Sequence, residues 1–306
     1  MQFAVKHAYS ENQGTEYFKV FSNKYTLMPY FTLSKLKLNI SGQYDIAYRP
    51  DRGTDLGLYG AYKNMGFGVG LGVFDYFKDE EVSTVKFYDI RLNYYGRRIG
   101  VDGLFQFYKS FLVEEVGHTM PDTVIPNKRP NQKLASIGIN VYYNFNAEHS
   151  FKAVFSHTER QLKSNGAFLL GLSQTYTYLQ ADDSYFSSAA ISTYDITDYS
   201  KNARLFSVIP IVGYQYNFVH GNFYFAPLVL LGVGSQFQKV SANKELIKKE
   251  IELVKKAVVN LPVGYNGDKF YYGFVFKDDF SKSKIGSSSL TYNLLSLSLF
   301  IGIRFL

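Results

Sequence analysis

Residues 66–74 read GFGVGLGVF, with glycine at 66, 68, 70 and 72 and a large apolar residue at each position between. A glycine-rich run invites a phosphate-cradling reading, but a dinucleotide loop needs G-x-G-x-x-G opening a helix. Here Leu71 stands three beyond Gly68, and Val73 three beyond Gly70. The nucleotide reading fails on spacing. In an extended chain successive side chains point to opposite faces. The glycines therefore share one face, and Phe67, Val69, Leu71 and Val73 share the other. The stretch is predicted to be a strand with one apolar face and one bare face.

Working outward, the same period of two recurs from end to end. In TVKFYDIRLNYYG, Tyr88, Ile90, Leu92 and Tyr94 alternate with Asp89, Arg91 and Asn93. VDGLFQFYKS sets Val101, Phe105 and Phe107 against Asp102, Leu104 and Gln106. LASIGINVYYNFN sets Ile137, Ile139, Val141 and Tyr143 against Ser136, Asn140 and Asn144. The last segment sets Leu295, Leu297, Leu299, Ile301, Ile303 and Phe305 against Ser296, Ser298, Gly302 and Arg304. Each run has roughly the ten residues that a tilted strand needs to cross a bilayer. Further strands are expected at 16–33, 36–48, 55–62, 151–160, 167–180, 205–218, 223–237, 253–265 and 270–276. KNM, YGRR, NAEHS, VHGN and YNGDK read as short turns, and 114–133, 181–203, 240–249 and 277–289 as longer loops. Segment 243–256 reads either as a short amphipathic helix or as the extension of a hairpin.

Composition narrows the class. No stretch of the 306 residues approaches the ~18 apolar residues of a membrane helix, and the longest run, 223–233, contains Pro227. Aromatics make up 18% of the chain, from 27 Tyr and 27 Phe without Trp, which suits rings placed at a membrane interface. The absence of cysteine excludes disulfides and thiolate metal sites. The net charge of +7 comes from scattered Lys and Arg, so no basic stripe points to nucleic acid. Nearly every strand carries a continuous apolar face, and there are too many strands for a small soluble barrel. The expected fold is all-β: one domain over residues 1–306, an antiparallel up-and-down transmembrane β-barrel of 12–14 strands, with 14 preferred. Residues 1–15 are expected to form a flexible N-terminal segment. Preferring 14 strands puts loop 114–133 on the periplasmic side.

YDIRLNYYGRRIGVDGLFQFYKSF, KRPNQKLASIGINVYYNFN and FKAVFSHTERQLKSNGAFLLG resemble successive blocks of an uncharacterised family of Bacteroidota outer-membrane proteins, a domain of unknown function. YRPDRGTDLGLYGAYKNMGFGVGLG resembles its first block, with Tyr48-Arg49-Pro50-Asp51 where Tyr-x-Pro-Asn is usual. The resemblance runs over roughly residues 20–306. It implies an outer-membrane barrel reached through a cleaved signal peptide, and it implies no activity. Leu306 departs from the usual final aromatic.

No Gly-x-Ser-x-Gly, His-Glu-x-x-His or Walker motif occurs. Ser156 and His157 are adjacent, so on a strand they face opposite ways and form no direct dyad. The expected reading is a strand end, with His157 at the interface and Arg160 starting a polar rim. RQLKSNG (160–166) reads as a turn in which Asn165 and Gly166 supply positive φ, or as an anion site of Arg160, Lys163 and Ser164. Glu114, Glu115, His118 and Asp122 read as a solvated acidic loop rather than a metal site. The polar face supplies the lumen candidates Asp89, Arg91, Asn93, Asp102, Gln106, Asn140, Arg160 and Arg304. Asp89, Arg91 and Asp102 are expected to form one buried charge network. The same face carries Leu104, Tyr108, Tyr142 and Leu230, so the interior is expected to be filled or constricted, with the glycine row making room. Lys248, Lys249, Lys255 and Lys256 are candidates for contact with lipopolysaccharide phosphates.

The expected function is a non-enzymatic structural or partner component of an outer-membrane assembly, without cofactor, metal or nucleic acid. Its expected partners are outer-membrane lipid, lipopolysaccharide and another outer-membrane protein. The alternatives are a small-solute channel or transporter and a lipid-modifying enzyme.

Overall fold

A computed structural model describes residues 16–22, 25–41, 45–50, 54–73, 87–115, 128–180, 202–242, 245–285 and 288–305. Residues 1–15 lie outside the described residues, as do His118 and Asp122. The strands are β1 (Phe18–Val20), β2 (Tyr25–Ser41), β3 (Asp45–Pro50), β4 (Thr54–Tyr62), β5 (Met65–Val73), β6 (Phe87–Tyr95), β7 (Ile99–Glu115) and β8 (Lys128–Asn144). After a short helix, α1 (Phe151–Val154), come β9 (Glu159–Gln161), β10 (Asn165–Gln180), β11 (Asn202–His220), β12 (Phe223–Phe225), β13 (Leu228–Ala242), β14 (Glu245–Asn266), β15 (Phe270–Ile285) and β16 (Ser288–Phe305).

Fourteen of these strands form one antiparallel sheet that closes on itself, with β16 pairing β2. Closure leaves the wall no free strand edge, the condition for crossing a membrane with strands. β3 and β4 both run along β2, and β12 and β13 both lie between β11 and β14, so the fourteen segments build twelve up-and-down staves. The wall also tapers. β7 pairs β6 from Gly100 to Tyr108, then changes partner and pairs β3 from Phe111 to Glu115. Ser110, at a positive φ of 72°, makes the bulge at this change. One end of the barrel therefore has twelve staves and the other ten.

The faces follow the alternation. Phe67, Leu92, Ile137, Leu231 and Ile301 point outward and are exposed, as do aromatics around the short-turn end. Tyr25 stacks between Tyr62 and Phe305, and Tyr265 stacks on Tyr272. A closed barrel with an apolar outer face and an aromatic girdle is a transmembrane barrel of the bacterial outer-membrane type. The turns at Lys63–Asn64, 96–98, 221–222 and 267–269 lie at one end, while residues 74–86, 116–127 and 181–201 join staves at the other.

Several sequence expectations need correction. Segment 151–160 is not a wall strand but helix α1 followed by a buried turn. With it removed, the short turns fall at one end, and the connection between β7 and β8 joins the opposite end rather than the periplasmic one. β2 runs unbroken through Ser34 and Lys35, where a break was expected. Strand continues through most of 240–249 and 277–289, which were expected to be loops, and of the two readings of 243–256 the hairpin extension holds for residues 245–256. Asn165 and Gly166 open β10 in extended conformation, not a positive-φ turn.

Candidate functional site

The lumen is built in three layers. At the short-turn end the chain leaves β8, folds into the barrel over residues 145–164, and returns as β10. Ser150 caps α1 by accepting from the Ala153 amide. Such a short helix has little stability of its own; its four residues are all buried against the barrel.

Glu159 anchors this plug. Its carboxylate lies 2.7 Å from Lys152 Nζ, pairs with Arg97, and accepts from Ser150 Oγ at 2.6 Å. A buried carboxylate is tolerable only when its charge and lone pairs are met in this way. Asn266 Nδ2 donates to the carbonyls of Ala153 and Glu159, both at 3.0 Å. Arg304 donates from Nε to the His157 carbonyl at 2.6 Å and packs on the rings of Phe21 and Tyr271. From outside, β1 pairs β9, and Lys19 reaches Asp268 at 2.7 Å. The hydrogen bond from Lys19, with Arg160 near by, holds the Asp268 carboxyl below its ordinary pKa.

His157 sits inside the plug, stacked on Tyr271 and bonded through Nε2 to the Tyr224 hydroxyl at 2.9 Å. Its φ of 55° is unusual for a non-glycine residue. Burial, reinforced by Arg304, pushes the imidazole well below its ordinary pKa, so it is neutral. Burial also lowers His149, whose Nε2 lies 3.1 Å from Gln215 Oε1. Ser156 Oγ is within 3.0 Å of Thr158 Oγ1 and bonds the Lys152 carbonyl. His157 is thus a buried packing residue rather than an interfacial one, and neither side chain reaches the lipid surface.

Above the plug is a cavity of about 340 Å³. Asp89, Arg91, Asn93, Asp102, Gln106 and Asn140 stand on its wall. The expected single charge network is two separate groups. Arg91 forks onto Asp89 from the same strand at 3.1 and 3.2 Å. Asp102 instead accepts from Asn93 at 2.8 Å and from the Tyr95 hydroxyl. Arg160, in the plug, and Arg304, which reaches the plug from β16, do not line the cavity. Arg160 bonds Asn222 Oδ1 at 2.6 Å and pairs with Asp268 at 3.4 Å, so it ties the plug to the turns at the short-turn rim. The glycine row proves to be a recess for aromatic rings. Tyr59 lies against Gly66 and Gly68, Tyr30 against Gly57 and Gly70, and Phe87 against Gly72.

At the ten-stave end, Leu36, Leu38, Tyr108, Phe111, Leu134 and Leu205 belong to one buried apolar cluster. Among the four candidate lysines, Lys249 and Lys255 are exposed on the outer wall. Lys256 is not, because alternation turns it inward, where its Nζ pairs with Asp279 at 2.8 Å. Lys248 lies on β14 opposite Val240, and its side chain is outside the described residues. Glu114 and Glu115 lie on β7, and among the described residues no group of three or more His, Asp or Glu could hold a metal. Sequence reasoning missed the role of Glu159 and the Lys256–Asp279 pair. A signal for the last was available, since Lys255 and Lys256 cannot share a strand face.

The profile of a domain of unknown function, DUF4421, matches residues 13–305. Among curated proteins, none matches the sequence. Among solved structures, the chain is similar to the outer membrane protease OmpT of Escherichia coli at 6% identity and a TM-score of 0.40, covering 93% of this chain and 98% of that one. It is similar to the translocator domain of the autotransporter NalP of Neisseria meningitidis at 11% identity and a TM-score of 0.42, covering 99% and 93%. The beta domain of the Bordetella autotransporter BrkA aligns at 9% identity and a TM-score of 0.45, covering 92% and 100%.

Proposed function

The chain belongs to the DUF4421 family, and from that premise we propose that it is a non-enzymatic, non-conducting barrel of a Bacteroidota outer membrane, serving as a structural or partner component of an assembly there. The observation that carries this reading is the plug: residues 145–164 lie across the short-turn end, held by the buried Glu159 with Lys152 and Arg97. The apolar cluster at the other end supports it, since bringing an ion among buried leucine and aromatic side chains is costly. The burial of Ser156 and His157 argues against lipid hydrolysis at that pair. A barrel that neither conducts nor catalyses acts through its surfaces. The test is conductance of the folded chain in a planar lipid bilayer. Inserted but silent barrels are expected, and steady discrete channels would refute the closed-lumen reading.

The cavity between the two closures favours a second reading, a small-solute channel whose plug moves. It requires that displacing residues 145–164 open a continuous polar path past Asp89, Arg91 and Asp102. Channels that appear only on weakening the plug would favour it.

A further inference from the structure

The outer wall carries a repeated spacing. On β2 the outward Tyr25 is followed ten positions on by the outward Lys35, and on β15 Tyr272 by Lys282. On β11 the same interval separates Tyr214 from Arg204, and on β14 it separates Tyr265 from Lys255. β8 repeats it with Tyr143 and Lys133. Ten residues rising ~3.3 Å each at a tilt of ~40° span about 25 Å along the membrane normal, the height of the apolar band of outer-membrane barrels. The tyrosines therefore mark one interface and the cations the other. The cation end is the one where residues 74–86, 116–127 and 181–201 join the staves, and longer connections face outside in such barrels.

Register then sets these cations side by side. Lys255 lies opposite Lys282, Lys239 opposite Lys249, and Arg204 opposite Lys239. All five are exposed. Like charges directly opposite each other destabilise a strand pair. The outward positions described on β11, β13 and β14 hold no acidic residue to relieve them. These described positions supply no counter-charge, and Lys255 and Lys282 stand at the height of the outer-leaflet headgroups. We propose that Arg204, Lys239, Lys249, Lys255 and Lys282 form a binding surface for the phosphate groups of lipopolysaccharide. It is independent of whether the lumen conducts.

The test uses the full folded chain in phosphatidylcholine vesicles, with and without lipopolysaccharide. In Lys255→Glu the new carboxylate faces Lys282, so without lipopolysaccharide the urea midpoint holds or rises. Adding Lys239→Glu reverses a second register, and affinity for lipopolysaccharide falls at least about tenfold. A Lys255→Gln/Lys282→Gln variant gives the same loss of affinity without charge reversal, should the reversed chains fail to fold. Unchanged lipopolysaccharide affinity in the variants would overturn the proposal. So would equal wild-type affinity for phosphatidylglycerol vesicles, which would mark the surface as general for anionic headgroups.

Discussion

The Glu159 carboxylate and the Lys152 ammonium lie 2.7 Å apart inside the barrel, and their side chains are 1% and 8% exposed. Removing one charge leaves the other buried without its partner, a loss of about 3–5 kcal/mol in comparable sites. Glu159→Gln is therefore expected to lower the urea midpoint and to raise amide exchange across residues 150–161. In a planar bilayer the variant should stay silent, because the apolar cluster still stands at the other end, and openings would favour the moving-plug reading. Unchanged exchange in that segment would mean that the ion pair does not hold the plug.

Stability of the plug is expected to fall as pH falls below about 6.5. His157 is neutral in the fold, with its pKa lowered by burial among Tyr224, Tyr271 and Phe300 and by Arg304, while the unfolded imidazole titrates near 6.5. The unfolded state then binds the extra proton, so the contribution is fully present above 6.5 and declines from there towards the lowered value. His149 acts in the same direction. Amide exchange over 145–164 at pH 7.5 and 5.5 measures this, and His157→Gln should flatten the difference. A plug equally protected at both values would contradict it.

Two glycines of β4 separate packing from backbone effects. A Cβ at Gly57 would enter the Tyr30 ring, whereas at Gly60 its nearest neighbour is the Thr26 carbonyl at an ordinary 3.5 Å. Gly57→Ala is expected to cost about 1–3 kcal/mol through displacement of Tyr30. Gly60→Ala should sit within about 0.5 kcal/mol of the parent. Equal urea midpoints for the two variants would show that the aromatic recess contributes nothing.

At the bulge of β7, Ser110 holds a φ of 72° and its buried hydroxyl has no partner among the described residues. Left-handed backbone costs an L-residue roughly 1–2 kcal/mol, and glycine escapes it. Ser110→Gly is therefore expected to raise stability by about 1 kcal/mol, offset in part by the greater freedom of an unfolded glycine. A lowered urea midpoint would show that the hydroxyl has a role the geometry does not reveal.

Where the wall was legible in the sequence, period two was unbroken over many residues. The outward faces around Tyr88–Tyr94 and Leu295–Phe305 follow directly from that alternation. The plug was not legible because FKAVF is too short to tell a period of 2 from one of 3.6. Its cue lay in the parity of the chain: short turns could be kept at one end only if 151–160 was not a wall strand. The lumen residues were readable as a face but not as pairs. Alternation places Asp89 and Arg91 together, but only register across β6 and β7 sets Asn93 opposite Asp102. The lysines of β14 were grouped by sequence proximity, and the pleat divides Lys255 from Lys256.

The change from twelve staves to ten also constrains the order of assembly. β3 and β7 meet although 61 to 69 residues separate the paired positions, and β4, β5 and β6 lie between them. Closing so long a loop is entropically favourable only once the intervening hairpins have shortened it. The narrow end therefore zips shut after β4–β6 have joined the sheet. A barrel whose β3–β7 seam is open would be a folding intermediate, wide at both ends, with its apolar stopper not yet compressed.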